Sequence, residues 1–190
     1  MSEVARRKAT YDDLYGIPEN TTGQIINGHL IVTPRPSRKH VYATSALGNE
    51  IGPPFQFGRG GPGGWVILIE PEIGLGEHTI VPDLAGWKRE RFPAEEEQNW
   101  ISAVPDWICE VLSPGTVRVD RIDKMSIYGL YGVPHLWFVD PINKTLEVFA
   151  LESSSGAWVV RGLYGESDKV RAEPFQEIEI ELIHLWWGSA

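Results

Sequence analysis

Two acidic side chains sit where an acid is costly. Glu110 lies inside Trp107-Ile-Cys-Glu-Val-Leu112, an otherwise apolar run that begins after Pro105-Asp106 and ends at Ser113-Pro114-Gly115. Such a run reads as a short buried strand that stops at a loop. A carboxylate there needs a cation, a proton or a set of hydrogen bonds to account for it. Asp83 follows Pro82 within a second apolar run, Thr79 to Trp87, and precedes Glu110 by 27 positions. Adjacent placement in one sheet would bring the two carboxylates together. At about 4 Å and an effective dielectric near 20 they would repel by roughly 4 kcal/mol, enough to raise one pKa by about 3 units unless a cation lies between them. A hard divalent ion held by carboxylate oxygens, a main-chain carbonyl and waters resolves the conflict, and Mg²⁺ suits such donors. Zinc does not, because the sequence offers no Cys or His cluster.

The elements that must position these acids follow from pattern. From about Thr116 to Tyr131 the apolar spacing predicts an amphipathic helix, on which Asp120, Lys124, Tyr128 and Tyr131 share one face. That face, with the Lys124 ammonium on it, can be presented to Glu110. Gly132-Val-Pro134 stops the helix, and His135 to Val139 is a further apolar strand. The unit from Trp107 to Val139 should therefore place two buried strands side by side in parallel, joined by a right-handed crossover.

Upstream, Asn27-Gly28 between Gln24-Ile-Ile and His29-Leu-Ile-Val-Thr33 predicts a tight hairpin. Ser37 is a candidate N-cap for a helix from about Arg38 to Ile51, which Gly52-Pro-Pro54 should end. Phe55 to Gly64 reads as a loop, with no Lys-Ser/Thr to make a phosphate-binding motif. Trp65 to Ile73 reads as a central strand, and Thr79 to Trp87 as a second strand of the same sheet with Pro82 at an edge or bulge. Tyr11 to Tyr15 suits one helical turn, and Met1 to Lys8 a frayed terminus. Lys88 to Glu97 is a solvated charged excursion, Thr145 to Leu151 and Trp158 to Leu163 form a second hairpin, and Glu177 to Trp187 is a final alternating segment. Strand runs flanked by two helices make a mixed α/β (α+β) sheet the natural architecture.

Composition narrows the function classes. A chain of 190 residues with eight Trp can bury one sizeable core, so residues 1–190 are expected to form a single domain. One cysteine, Cys109, cannot make an internal disulfide, and no leader pattern or long apolar span is present, so a soluble cytoplasmic protein with no membrane partner is expected. The net charge of -9 argues against a broadly basic nucleic-acid surface but allows a local basic groove or bridging metal ions. Arg35, Arg38 and Lys39 form one such basic cluster, placed where they could meet phosphates. The aromatic terminus Leu185-Trp-Trp187 suggests a homodimer contact.

In combination, Pro82-Asp83, Glu110-Val-Leu-Ser-Pro114, Asp120-Arg-Ile-Asp-Lys124, Tyr128, Gly132-Val133 and Trp137-Phe-Val-Asp-Pro141 resemble the Uma2-like endonucleases, a DUF820-type branch of the PD-(D/E)XK nuclease superfamily. The resemblance spans roughly Tyr11 to Pro141. It implies a restriction endonuclease-like mixed β-sheet core flanked by helices, with added β-hairpins, and a Mg²⁺- or Mn²⁺-dependent cleavage of phosphodiester bonds in nucleic acid, taken here as DNA. By the same resemblance Asp83 and Glu110 are the metal-holding acids, the main-chain carbonyl of Val111 is a further ligand, and Lys124 replaces the usual strand lysine, whose position Leu112 occupies. His40 matches a histidine frequent in the family. Gln24 stands where the family often has a glutamate and brings no negative charge; Glu50 and Glu70 are possible substitutes.

Each residue also has an ordinary reading. Asp83 could be a turn aspartate after proline, Lys124 a solvated helix lysine paired with Asp120, and His40 a helix-terminal residue. The Trp residues at 65, 87, 100, 107, 137 and 158 are expected to be core or interface packing. Gln24, Leu112 and the acidic balance favour the alternative of a catalytically degenerate nuclease fold that binds nucleic acid or a protein partner without cutting. A third reading is a small-molecule site in which the two acids hold one polar ligand.

Overall fold

The structure is a computed structural model and describes residues 7–93, 95 and 97–189. Residues 1–6 of the terminus expected to fray, and Glu96 of the acidic excursion, lie outside the described residues. Tyr11–Gly16 is a 3-10 turn closed by a capping box between Thr10 and Asp13. Strands β1 (Thr21–Ile26) and β2 (His29–Pro34) pair antiparallel through Asn27 and Gly28, whose φ values of 53° and 73° are those of the tight turn that Asn-Gly favours. Helix α1 (Arg38–Ile51) starts where Ser37 accepts a hydrogen bond from the His40 N–H, and it buries Ala43, Leu47 and Ile51. The α-helix ends at Ile51, before Gly52-Pro-Pro54, as expected, and a π-helical turn, Gly52–Gln56, follows it with its prolines at the first positions of that turn.

Next come β3 (Trp65–Ile69), β4 (Ile73–Leu75), β5 (His78–Ile80) and β6 (Leu84–Lys88). These are the two arms of one long hairpin, and each arm is broken at the same level, at Glu70-Pro71-Glu72 and at Val81-Pro82-Asp83. Proline cannot donate to a ladder, so pairing lapses there and the arms change sheets. The run from Thr79 to Trp87 is thus two strands in two sheets, a correction to its reading as one strand. β4 and β5 join the first hairpin in a sheet ordered β2-β1-β5-β4.

The chain then forms β7 (Trp107–Val111), a π-helical turn (Val119–Lys124) that runs into α2 (Met125–Leu130), and β8 (His135–Asp140). The hairpin of β9 (Thr145–Glu152) and β10 (Ala157–Gly165) follows, then the short pair β11 (Lys169–Val170) and β12 (Ile180–Glu181). The main sheet is ordered β10-β9-β8-β7-β6-β3 and is mixed: β7 and β8 are parallel, as the crossover predicts, and the other neighbours antiparallel. β3 is an outer strand, not the central one its apolar run suggested. Its free edge is covered instead, by Gln56 Oε1 accepting from the Ile67 N–H at 2.9 Å and by Arg89 donating to the Trp65 carbonyl.

Strand alternation splits the interior into two layers. Trp107, Cys109, Val111, Trp137 and Val139 face α1 and the C-terminal segment, while Ile108, Leu136 and Phe138 face α2 and the smaller sheet. The Trp rings 65, 87, 107 and 137 are buried as expected. Of the expected alternating tail only Ile180–Glu181 pairs as strand; Leu182–Leu185 is a 3-10 turn. Leu185 and Trp186 belong to the core, so the aromatic terminus proposed as a dimer contact reduces to Trp187, which meets Tyr42 edge-on at 5.3 Å. Among the described residues no helix is long and apolar enough to cross a membrane.

Trp107 contacts Trp137 and Phe175 with ring centroids 5.3 and 5.0 Å apart, both edge-to-face. Trp107→Ala should therefore lower the unfolding free energy by about 3–5 kcal/mol, read as a shifted midpoint in denaturant titration, with a smaller loss for Trp107→Phe.

Candidate active site

Glu110 is on β7 and points to the α2 side, 1% exposed. Lys124, 3% exposed, places Nζ 3.2 and 3.1 Å from its two carboxylate oxygens. Tyr128 donates its hydroxyl to Oε1 of the same carboxylate. The ammonium also meets Oδ1 of Asp120 at 3.2 Å and the Val81 carbonyl at 3.5 Å. The π-helical turn supplies both Asp120 and Lys124; such turns are rare and recur at functional sites, where one extra residue per turn re-aims side chains. Lys124 is thus no solvated helix lysine. Tyr131, expected on the same face, lies just past the last helical residue and packs against His78 instead, with ring centroids 6.0 Å apart.

Asp83 immediately precedes β6, whose Leu84 pairs with Cys109, so it falls beside Glu110 and Val111. Its Oδ2 accepts from the Val111 N–H at 2.6 Å, and its Oδ1 lies 3.1 Å from His40 Nε2. These partners bind the first turn of α1 to the central strand. Gln24, buried on β1, accepts from the Val81 N–H at 3.0 Å and so steadies the proline break.

A cavity of about 280 Å³ opens over this cluster and is lined by Asp83, Glu110, Asp120 and Lys124 together with Gln24 and His40. Arg35 and Glu70 also line it. Arg38 and Lys39 are exposed on the first turn of α1 and lie outside the lining, so of the three predicted basic residues only Arg35 is brought to the cavity. Glu50 is turned away to His184, 3.4 Å distant, and Leu112 is buried in the apolar layer. Val111 gives its N–H to Asp83. Sequence reasoning placed Asp120 and Tyr128 on the right face but assigned them no part in the site; their i+4 spacing around Lys124 was the available signal.

Charge explains why these groups need one another. Burial raises the Glu110 pKa from 4.5 to about 8, against the pull of Lys124 and with help from Asp120 and Asp83. Burial opposes the charge on Lys124, yet Glu110, Asp120 and Asp83 outweigh it and push the ammonium's pKa up. Tyr128 is held as a neutral phenol by burial and by the Glu110 charge. Burial also opposes the charge on His40, but Asp83, aided by Glu70 and Asp120, raises its pKa. Three acids, among them Glu110 with its charge disfavoured by burial, thus face the Lys124 ammonium and the His40 imidazole. Among the described residues no three His, Cys, Asp or Glu side chains form a ready cage for a metal ion. The surplus of hard, anionic oxygen at Asp83 and Glu110 nevertheless fits a cation such as Mg²⁺, which keeps several waters and takes one or two carboxylates.

A mixed sheet flanked by helices is the architecture of a restriction endonuclease-like fold. The Uma2 family model, described as "Putative restriction endonuclease", matches residues 9–183. The chain belongs to the Uma2 family. Among solved structures, it is similar to a protein from Anabaena variabilis ATCC 29413 described as a putative nuclease belonging to DUF820. The two are 22% identical, with a TM-score of 0.71 over 96% of this chain and 99% of the other, a likeness of fold. No curated protein matches.

Because the folded-state pKa of Glu110 lies above its ordinary value, the folded protein holds an extra proton between about pH 4.5 and 8. The stability this group contributes is present below that window and is lost as pH rises through it. In metal-free buffer the melting temperature should fall more steeply over this range for the wild type than for Glu110→Gln. Parallel profiles for the two proteins would contradict the coupling.

Proposed function

We propose that this protein is a metal-dependent endonuclease that hydrolyses phosphodiester bonds in DNA. The observation that carries the reading is Lys124: the strand position of the usual lysine is filled by Leu112, yet an ammonium reaches Glu110 from the crossover helix at 3.1 Å. In this reading Asp83 and Glu110, with the main-chain carbonyl of Val111, hold Mg²⁺ or Mn²⁺. When bound, the cation supplies Lewis-acid activation of water and offsets charge on the phosphate. Lys124 orients the attacking water and stabilises charge that builds on the phosphate oxygens. Asp120 and Tyr128 fix the ammonium and the Glu110 carboxylate, and His40 holds Asp83. Arg35 meets the phosphate at the cavity wall, and Arg38 and Lys39 meet the backbone further along.

The second reading, a degenerate nuclease fold that binds nucleic acid or a protein partner without cleavage, has its own support. Gln24 brings no charge and has its oxygen engaged by Val81, and both Glu110 oxygens are already within reach of Lys124. Calorimetric titration with Mn²⁺ separates the two, since absence of binding that depends on Asp83 and Glu110 favours the degenerate protein.

With Mg²⁺ or Mn²⁺ the purified protein should nick DNA, and Asp83→Ala or Glu110→Ala should abolish this. Lys124→Met should lower the rate by about 10²–10⁴-fold while Mn²⁺ binding persists. Wild-type protein inert on every nucleic acid offered would sink the catalytic claim.

A further inference from the structure

Beside the catalytic pocket lies a larger hollow of about 440 Å³, between the start of β1, the outer side of α1 and the end of β3. Thr22, Arg35, Pro36, His40 and Glu70 line both, so the two hollows share a wall. Val41, Ser45 and Ile69 line only the larger one, and two of them are apolar side chains left open to solvent, Val41 at 48% and Ile69 at 56% exposure.

Glu70 marks the junction. Its φ of 50° is in the left-handed region, unusual for a glutamate, and its N–H donates to the Asp83 carbonyl at 3.0 Å. Such outliers gather at functional sites. Here the bend turns the chain out of β3 at the wall between the two hollows, leaving Glu70 in the lining of both.

The larger hollow combines apolar side chains for the face of a flat ring, hydroxyls and a carboxylate for amino or hydroxyl groups, and a guanidinium at the shared wall for a phosphate. Its volume falls within the range of about 300–1,000 Å³ typical of sites that enclose a small ligand. We propose that it is a nucleoside subsite flanking the scissile phosphodiester, so that the protein engages DNA as a single strand with one unpaired nucleotide seated between α1 and the end of β3. The inference rests on the nuclease reading and names its substrate class.

A base stacked and paired in a duplex cannot enter a walled hollow without being extruded, whereas a single strand offers its bases freely. Charge points the same way. Duplex binding draws on many phosphate contacts, and among the described residues Arg35 is the one basic side chain lining either hollow besides His40 and the buried Lys124. With a net charge of -9 and few basic side chains at the hollows, contacts to the nucleoside carry a large share of the affinity.

The test uses full-length Asp83→Asn protein, silenced for cleavage, and fluorescence anisotropy with a short labelled oligodeoxynucleotide, single-stranded or annealed to its complement. The single strand should bind about ten-fold or more tighter than the duplex, and filling the hollow with Ser45→Trp or Val41→Trp should remove that advantage while duplex affinity stays unchanged. In the otherwise wild-type protein the same fillings should slow cleavage of single strands and spare bis(p-nitrophenyl) phosphate, a diester without a nucleoside. Equal affinity of the parent for single strand and duplex, or a folded Trp variant that binds single strands as tightly as the parent, overturns the subsite. A single-strand preference that is lost on filling, in a protein that cleaves no nucleic acid, leaves the subsite standing and removes the nuclease reading.

Discussion

The ammonium of Lys124, held out of water between the carboxylates of Glu110 and Asp120, is the interaction on which the site depends. Opposite charges at about 3 Å in a poorly screened interior attract strongly, but each has lost its hydration, so the cluster is tolerated only with every partner in place. The partners come from separate elements: Glu110 from β7, Asp120 and Lys124 from the π-helical turn, Tyr128 from α2, and the Val81 carbonyl from the break between β5 and β6. The cluster therefore locks the crossover helix onto the sheet.

The second constraint is the paired proline break. Pro71 and Pro82 interrupt both arms of one hairpin at the same level, and the chain there passes from the six-stranded sheet to the four-stranded one. Freed from the ladder, Asp83 turns its carboxylate onto Val111 and His40, and Glu70 adopts its left-handed conformation opposite. A gap between two sheets becomes a cavity with an acidic floor. Gln24 holds one lip of that gap through Val81, a structural task that an amide performs as well as a carboxylate.

Much of this was legible in the residues. The Asn-Gly hairpin, the Ser37 cap, the buried β7 and its parallel partner β8 follow from turn chemistry, capping and apolar runs, all of which are local. Asp83 and Glu110 stood out because a charge inside an apolar pattern has few harmless explanations, whereas Lys124 was reached through the family resemblance and its place on one helix face with Asp120 and Tyr128. The misread elements share a cause. β3 looked central because its run is apolar throughout, but its free edge is met by Gln56 and Arg89, brought from elsewhere in the chain. Leu185 and Trp186 looked like an exposed terminus because a short segment carries no sign of which side of it will be buried.

By itself, then, the sequence determined which side chains could not be left unaccounted for and which segments become hairpin, helix or buried strand, because these depend on side-chain chemistry and on neighbours a few positions away. Tertiary structure alone decided how the acids meet. A π-helical turn brings Asp120 and Lys124 under Glu110, and the strand register sets Asp83 against Val111. Both depend on how sheets and helices settle against one another over distances that no local pattern encodes. Glu110 stands out in the sequence as an acid in an apolar strand, and the packed chain gives it an ammonium, a phenol and a second acid as neighbours.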